Sequence, residues 1–142
     1  MNQNETLKNV PGTITDYDVY LFKQGAHTNL YEKLGSHIIE LDGTRGVHFA
    51  LWAPNAEYVS VIGDFNGWNK GSHRLQPRWD ESGIWETFIP GLGKGEVYKY
   101  YIESKFNKYR VEKADPYARR SELPPKTASI ANSGSISELL FS

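Results

Sequence analysis

The side chains that could support covalent chemistry are scattered along this chain of 142 residues. It has no cysteine, no GxSxG elbow, no Walker loop and no HExxH pair, so the usual nucleophile, phosphate and zinc patterns are absent. The 4 histidines, His27, His37, His48 and His73, lack a ligand spacing such as i, i+4 on a helix. Because structural metal sites usually need clustered ligands, the sequence predicts neither a metal site nor a cofactor.

Carboxylates are the remaining candidates for acid and base chemistry. Cleavage of a glycosidic bond needs two of them about 5 to 10 Å apart, and Asp64, Glu86, Glu103 and Asp115 are available. No pattern singles out a pair, and Asp64 stands just before an Asn-Gly dipeptide, where aspartate is an ordinary turn residue. We therefore expect Asp64 in a turn and no catalytic pair in this chain.

The aromatic residues offer binding chemistry instead, with 9 Tyr, 6 Phe and 4 Trp. Trp68 follows the turn-forming residues 63–67, so its indole should project from a tight turn. There it could stack on the apolar face of a sugar ring or plug the end of a β-sandwich, and spacing alone does not separate these roles. Trp52 and Trp85 lie in strand-like runs and are predicted core residues.

The charge balance limits the class of partner. The 16 basic and 17 acidic residues give a formal net charge of -1. The chain therefore lacks the strong positive field that would attract nucleic acid or an anionic membrane. An uncharged partner is therefore expected. No stretch approaches the roughly 20 apolar residues of a membrane span, and together with the lack of cysteine this favours a cytoplasmic protein of one domain.

The elements that position these residues begin with a short helical leader. Thr15 or Asp16 can cap a helix that Gly25 ends. A second helix is predicted over residues 29–34, where Asn29 has the spacing of a capping box and two leucines lie one turn apart before a glycine.

From residue 46 onward the period becomes that of β-strands, with Gly, Pro, Asn and Asp between the runs. The firm predicted strands are residues 47–53, 59–65, 85–89 and 97–104, and the weaker ones are residues 38–41 and 109–113. In the run 97–104, Tyr98 and Tyr100 should face the core while Lys99 points outward. Residues 49–52 are apolar at both parities, which fits a strand covered on both sides, one side by the leader.

Two segments resemble the signature of carbohydrate-binding module family 48. They are FALWAPNA at residues 49–56 and VSVIGDFNGW at residues 59–68, and later pieces at 83–86, 89–93 and 98–100 are similar in the same order. The resemblance implies an all-β, immunoglobulin-like sandwich with a short helical N-terminal leader. It also implies an α-glucan site in which Trp68 stacks on a glucose ring and Lys99 bonds to a sugar hydroxyl, with Phe106 as the positional candidate for a further aromatic contact.

The flanking segments are similar to those of bacterial-type glycogen (1,4-α-glucan) branching enzymes. Residues 18–22 and 31–35 resemble the segment before the module, and pieces within residues 113–130 resemble the connection to a catalytic (β/α)8 barrel. The implied limits are a helical leader 1–36, a module 37–115, a linker 116–130 toward the missing barrel and a flexible tail 131–142. The catalytic carboxylates of the family have no counterparts here, so this chain alone is predicted not to be an enzyme.

The sequence thus predicts a non-catalytic module that binds and positions glucan for a branching enzyme in glycogen biosynthesis. Its expected partners are α-1,4/α-1,6 glucan, such as glycogen or a malto-oligosaccharide, and the catalytic barrel of the same enzyme. Two alternatives stay open: a free-standing α-glucan-binding module, and a purely structural domain packed on an α-amylase-type barrel. The barrel-like connection disfavours the first, and binding to soluble glucan would separate the second.

Overall fold

The secondary structure of the described residues consists mainly of short antiparallel strands. A computed structural model describes residues 14–25, 30–117 and 129–130. The helices are α1 (Asp16–Lys23) and α2 (Leu30–Lys33), and the strands are β1 (Gly35–Leu41), β2 (Thr44–Trp52), β3 (Ala56–Gly63), β4 (Gln76–Pro77), β5 (Ile84–Pro90), β6 (Val97–Ser104), β7 (Arg110–Lys113) and β8 (Ser129–Ile130). The predictions for His27 and Asn29, for most of the linker (residues 118–128) and for the tail 131–142 lie outside the described residues.

The strands form two sheets that pack face to face. The first sheet has the order β1-β2-β5-β4, and the second has the order β3-β6-β7, with β8 also paired to β6. Their inner faces share one core of buried side chains, which includes Val47, Phe49, Leu51, Val59, Val61, Trp85, Ile89, Tyr98 and Tyr100. This arrangement confirms the predicted all-β, immunoglobulin-like sandwich.

A short crossing segment joins the two sheets. Val61 N donates to His73 O at 3.0 Å, and Leu75 N donates to Val59 O at 2.8 Å, so residues 73–75 run along the free edge of β3. The next two residues pair with β5 in the first sheet instead. Leu75 is fully buried at the crossing. A two-residue strand that contains Pro77 carries no period, which is why sequence analysis did not predict β4.

The described part of the leader contains two short helices, as predicted, and packs on the outer face of the first sheet, called here the covered face. Thr15 is the N-cap, because Asp18 N donates to Thr15 Oγ1 at 3.1 Å while Thr15 N donates to Asp18 Oδ2 at 2.8 Å. Gly25 follows the helix at φ +71, a left-handed conformation that favours glycine. Lys33 Nζ donates to Asp18 at 2.7 Å and so ties α2 to α1.

A second apolar cluster joins the leader to the covered face. It consists of Ile14, Val19, Leu30, Leu34, Ala50 and Ile84. Strand β2 is therefore covered on both sides as predicted, with Phe49 in the sandwich core and Ala50 under the leader. Complete burial of a side chain of the size of Leu34 contributes about 1.5 to 3 kcal/mol, so the leader is held mainly by apolar packing.

A buried arginine adds charge pairs to this junction. Arg78 Nη1 donates to Glu86 Oε2 at 2.9 Å and to Ile14 O at 3.1 Å. Its Nη2 donates to Asp16 Oδ1 at 3.1 Å, and its Nε donates to Asp80 Oδ2 at 3.0 Å. We call these residues, with His48 at 2.9 Å from Glu86, the Arg78 cluster. It fixes the start of α1 to the first sheet.

Two sequence predictions need correction. Trp52 is 44% exposed rather than a core residue, because Phe49 and Leu51 take the inward parity and Trp52 points to the covered face. There its ring meets Phe22 edge-on at 6.0 Å. Strand β3 ends at Gly63 rather than at residue 65, since residues 64–66 form a 3-10 turn. Trp85, by contrast, is confirmed in the core at 5% exposure.

Candidate functional site

The outer face of the second sheet, called here the open face, begins at a tightly bonded turn that carries Trp68. Asn66 holds this turn from inside: its Oδ1 accepts from Gly63 N at 3.0 Å, and its Nδ2 donates to Val61 O at 3.0 Å. Gly67 closes the 3-10 turn at φ +65. Trp68 N then donates to Gly63 O at 2.9 Å. We call residues 63–68 the Trp68 turn.

Trp68 combines a left-handed backbone conformation with a partly exposed side chain. Its φ is +60, a left-handed conformation that costs a bulky residue about 1 to 2 kcal/mol. The side chain is 36% exposed, and its Nε1 donates to Asp64 Oδ1 at 2.9 Å. Because the indole N–H is bonded within the turn, the exposed part of the ring offers apolar surface. Asp64 is a turn residue, as expected, and it orients Trp68.

A histidine supports the turn from below. Asn66 Nδ2 donates to His73 Nδ1 at 2.9 Å, and the Phe65 and His73 rings lie 5.5 Å apart. Burial lowers the pKa of His73, so its ring is neutral at physiological pH and Nδ1 can accept that hydrogen bond. His73 therefore has a structural role in the turn.

Lys99 lies at the same end of the open face as Trp68. It pairs with Ile62 across β3 and β6, one residue from Gly63. Its neighbours in β6, Tyr98 and Tyr100, are fully buried in the core, so Lys99 points to the open face as predicted. The residue is half-buried there, and its ammonium group can donate hydrogen bonds to a ligand.

Phe106 lies at the opposite end. It follows Ser104, the last residue of β6, and begins a hairpin turn in which Asn107 and Lys108 have φ +55 and +51. It is 61% exposed. Five residues of strand separate Lys99 from Ser104, which corresponds to about 16 Å. The register therefore places the Trp68 turn and Lys99 at one end of the second sheet and Phe106 at the other end.

Between these ends lies a set of polar and aromatic side chains that sequence analysis missed. Lys70 Nζ sits 4.8 Å from the centre of the Tyr101 ring, and Tyr58 OH donates to Lys70 O at 2.7 Å. Tyr101 OH donates to Glu103 Oε2 at 2.7 Å, and this bond raises the pKa of Tyr101. A cavity of about 210 Å³ beside them is lined by Lys70, Tyr101, Arg110, Val111 and Glu112.

The alternation of side chains along β6 predicted that Tyr101 points outward. It did not predict that Lys70 would lie over the Tyr101 ring. Tyr101 is only 6% exposed as a result. The contact depends on how the loop after Trp68 returns along β3, which local sequence patterns do not specify.

Comparison with protein families decides the assignment. The model of carbohydrate-binding module 48 (isoamylase N-terminal domain) matches residues 33–118, which is more than half of the chain. The chain belongs to carbohydrate-binding module family 48. The resemblance found in the sequence is thereby confirmed.

The flanking resemblance is confirmed by full-length relatives of this module. The chain is 56% identical over 117 residues to the 1,4-alpha-glucan branching enzyme GlgB of Aquifex aeolicus, which covers 82% of this chain and 18% of that protein. It is 52% identical over 120 residues to GlgB of Paramagnetospirillum magneticum, covering 84% and 16%. The chain thus spans less than a fifth of the length of these curated relatives.

Solved structures share the fold of the module at lower identity. A pullulanase from Klebsiella pneumoniae complexed with maltotriose matches with a TM-score of 0.55 and 22% identity, over 70% of this chain and 9% of that chain. The pullulanase from Bacillus acidopullulyticus matches with a TM-score of 0.54 and 20% identity, over 71% and 12%. These matches support the sandwich fold alone.

The carboxylates of the module have structural partners in separate places. Glu86 belongs to the Arg78 cluster, Glu103 bonds to Tyr101, and Asp64 bonds to Trp68. The fourth, Asp115, is 5% exposed and accepts from Tyr98 OH at 2.6 Å and from Tyr100 OH at 3.3 Å. Burial raises the pKa of Asp115. No (β/α)8 barrel, which takes about 250 residues, fits within a chain of 142 residues.

Within residues 14–25, 30–117 and 129–130, no group of three or more His, Cys, Asp or Glu side chains could hold a metal ion. Over the same residues, no helix is long and apolar enough to cross a membrane.

Proposed function

We propose that this family 48 module binds α-glucan on its open face and positions it for a 1,4-α-glucan branching enzyme in glycogen biosynthesis. The observation that carries the proposal is the Trp68 turn. It holds a half-exposed indole in a strained conformation, bonds its N–H internally, and lies at the same end of the sheet as Lys99. Backbone strain of this kind persists where a site requires it.

The chemistry of the two side chains fits a glucan. A glucose ring is uncharged and offers C–H groups on its faces and hydroxyl groups around its rim. An exposed indole can cover such a face, while the Lys99 ammonium can donate to a hydroxyl. A few polar groups beside an aromatic surface are typical of sites that orient a small ligand. The net charge of -1 adds no competing attraction for anionic polymers.

We propose Phe106 as a contact for longer chains only. Because it lies about 16 Å along the strand from Lys99, a single glucose unit cannot touch both ends of the open face. Glu103 and Lys70 lie between the ends and add hydrogen-bonding groups. A chain of several glucose units would therefore bind more tightly than maltose.

The parent protein that we propose has the barrel that this chain lacks. The identity of 56% to a branching enzyme over 82% of the chain supports a common role, and a cytoplasmic location follows from glycogen synthesis. We keep the limits 1–36, 37–115, 116–130 and 131–142 as the proposed leader, module, linker and tail. Ser129 and Ile130, at the end of the proposed linker, pair with β6. Without a catalytic carboxylate pair, the chain itself should have no branching activity.

Native gel electrophoresis through glycogen tests the proposal. Loss of a stacked aromatic costs about 1 to 3 kcal/mol in related stacking sites, so Trp68→Ala should raise the apparent dissociation constant by about tenfold or more. Trp68→Phe should keep much of the binding because it retains an aromatic face. Lys99→Met should weaken binding less, and Arg45→Met, which removes an exposed charge on the first sheet, should leave it unchanged.

Circular dichroism controls for folding. If folded Trp68→Ala is retarded by glycogen as strongly as the parent chain, the proposed site is wrong. A parent chain with no retardation at all would instead favour the purely structural domain.

A further inference from the structure

A second exposed aromatic surface lies on the opposite side of the sandwich. Helix α1 presents Tyr17 at 66% and Tyr20 at 59% exposure, and Trp79 beside it is 61% exposed. The Tyr17 and Tyr20 rings are stacked, with centres 6.4 Å apart and planes inclined by 16°. These residues flank the covered face of the first sheet, whereas Trp68 and Lys99 belong to the second sheet.

Tyr20 and Trp79 line a concave site. The cavity has a volume of about 250 Å³ and is lined by Asp16, Val19, Tyr20, Lys23, Trp79 and Asp80. Val19 is buried at 3% exposure and anchors this part of α1 in the core of the leader. The site therefore combines exposed aromatic rings with two carboxylates and one ammonium group.

The walls of the cavity are held together by the Arg78 cluster. The guanidinium of Arg78 donates to Asp16 at 3.1 Å on one wall and to Asp80 at 3.0 Å on the other. Lys23 Nζ also donates to the backbone oxygen of Asp80. Because Arg78 is only 5% exposed, these bonds lie in a protected environment, and the cavity is formed before any ligand arrives.

We propose that this cavity, which we call the Trp79 cleft, is a second α-glucan site that works independently of the open face. The inference rests on the proposed function, because it assigns the same class of ligand. Stacking surface on Trp79 and Tyr20 would receive the C–H face of a glucose unit, and the more exposed Asp16 carboxylate and Lys23 ammonium group would bond to its hydroxyls.

The composition of the cleft favours a sugar over a protein partner. Three of its six lining residues are charged, whereas the centre of a protein interface is depleted in Asp and Lys. Another cavity, of about 300 Å³, has Lys113 as its one charged residue among fourteen lining residues, which include Leu51, Ala56, Ile102 and Val111.

The position of the cleft determines what it can do. The two sheets alone separate the covered and open faces by about 10 Å, and α1 adds a further layer. A short linear malto-oligosaccharide bound at Trp68 therefore does not reach Trp79. The module would take up two oligosaccharides separately, and it would hold two outer chains of one branched polymer at the same time, which increases the apparent affinity.

Nuclear magnetic resonance of the four tryptophan indole N–H groups tests this proposal on the full chain, with maltotriose as the probe because it is too short to span the two faces. The signals of Trp68 and Trp79 should each shift along a saturable curve. Trp85 is the internal reference, because it is 5% exposed and its Nε1 bonds to Ala53 O at 3.1 Å. In Trp68→Ala the curve of Trp79 should keep the same dissociation constant within about twofold, and in Trp79→Ala the curve of Trp68 should do likewise.

The outcomes separate the two proposals. If Trp68 titrates and Trp79 moves no more than Trp85, the Trp79 cleft is not a glucan site while the proposed function stands. If Trp79 titrates and Trp68 does not, the cleft stands and the site on the open face is wrong. If Trp79 loses its response in Trp68→Ala, the sites are not independent and the inference is overturned. Tyr109→Ala, which removes an aromatic ring of equal exposure to that of Tyr20 at 59%, should leave both curves unchanged.

Discussion

The two outer faces of the sandwich use polar groups in opposite ways. On the covered face, the Arg78 cluster buries a guanidinium and Glu86 to fix the leader in place. On the open face, Asn66 and Asp64 make hydrogen bonds that hold a large aromatic side chain out toward solvent. Hydrogen bonds between buried charged groups attach the leader to the first sheet. Hydrogen bonds at the surface of the second sheet instead orient the exposed side chain of Trp68.

The largest expected loss of stability comes from truncating a core side chain between the two sheets, because both outer faces depend on that core. Trp85 fills the core between the sheets, so Trp85→Ala should lower the free energy of unfolding by about 3 to 5 kcal/mol. Trp68→Ala removes an equally large side chain from the surface and should lower it by less than about 1 kcal/mol. Urea denaturation followed by circular dichroism measures both values. Equal losses would mean that Trp68 belongs to the core.

A second variant breaks the covered face alone. Arg78→Met removes the guanidinium and leaves Glu86 buried without its charge partner, which typically costs about 3 to 5 kcal/mol. Burial by itself would lower the pKa of Arg78, yet the charges of Glu86 and Asp80 raise it overall, so the pair is favourable. Arg45→Met, at an exposed position, is the control and should change stability by less than about 0.5 kcal/mol.

In Arg78→Met the leader should loosen while glycogen binding at Trp68 persists. Limited proteolysis can detect this, with earlier cleavage in the leader than in the sandwich. A loss of Trp68 binding as large as the loss of leader protection would show that the two faces are not independent.

These two regions also show how far sequence analysis reached. The apolar residues at both parities in residues 49–52 predicted a strand with two covered sides, and the alternation in β6 correctly placed Tyr98, Lys99 and Tyr100. Periodicity could not decide which side Trp52 takes, because both parities are apolar there. Trp68 and Lys99 were singled out by family resemblance, since spacing alone left the role of Trp68 open.

The Arg78 cluster was not predicted at all. Asp16 lies 62 residues from Arg78 in the sequence, and charged residues are expected at the surface unless they are paired. The pairing depends on the crossing segment that carries Arg78 from one sheet to the other, and no local pattern reveals that path. Ion pairs that form only through tertiary structure, such as that between Arg78 and Asp16, could not be predicted from the sequence alone.

A variant of Asn66 tests whether the Trp68 turn supports binding on the open face, and a variant of Asn69 is its control. Asn66→Ala removes the bonds to Gly63, Val61 and His73, so it should cost about 1 to 2 kcal/mol and weaken glycogen binding severalfold as Trp68 loses its support. Asn69→Ala removes one exposed bond, to Gly71 N at 2.8 Å, and should do neither. An Asn66→Ala chain with unchanged glycogen affinity would contradict the role of the turn in binding.

The smallest effect concerns Tyr98, a buried tyrosine of β6 that pairs with Ser129 of β8. Burial, with the nearby charge of Asp115, raises the pKa of Tyr98 well above 10. The unfolded state therefore loses this proton first as pH rises. The contribution of Tyr98 to the free energy of unfolding is complete below pH 10 and falls above it by about 1.4 kcal/mol per pH unit.

Tyr98→Phe removes this titration and should make the alkaline fall shallower by that amount. Denaturation between pH 9 and 11 measures it, with Tyr109→Phe as an exposed control. An unchanged slope in Tyr98→Phe would mean that Tyr98 ionises in the folded state.

Strand β8 gives the module a defined attachment point. Ser129 pairs with Tyr98 on one side of β6, and Gly63, where the Trp68 turn begins, pairs with Tyr98 on the other. Two strand spacings of about 4.8 Å each separate them, so any catalytic domain joined after Ile130 starts about 10 Å from the Trp68 turn. A short tether from that point sets an effective concentration in the millimolar range. If the proposed site at Trp68 holds a glucan chain, a domain attached there would meet that chain as an intramolecular substrate, even when its affinity for the isolated module is weak.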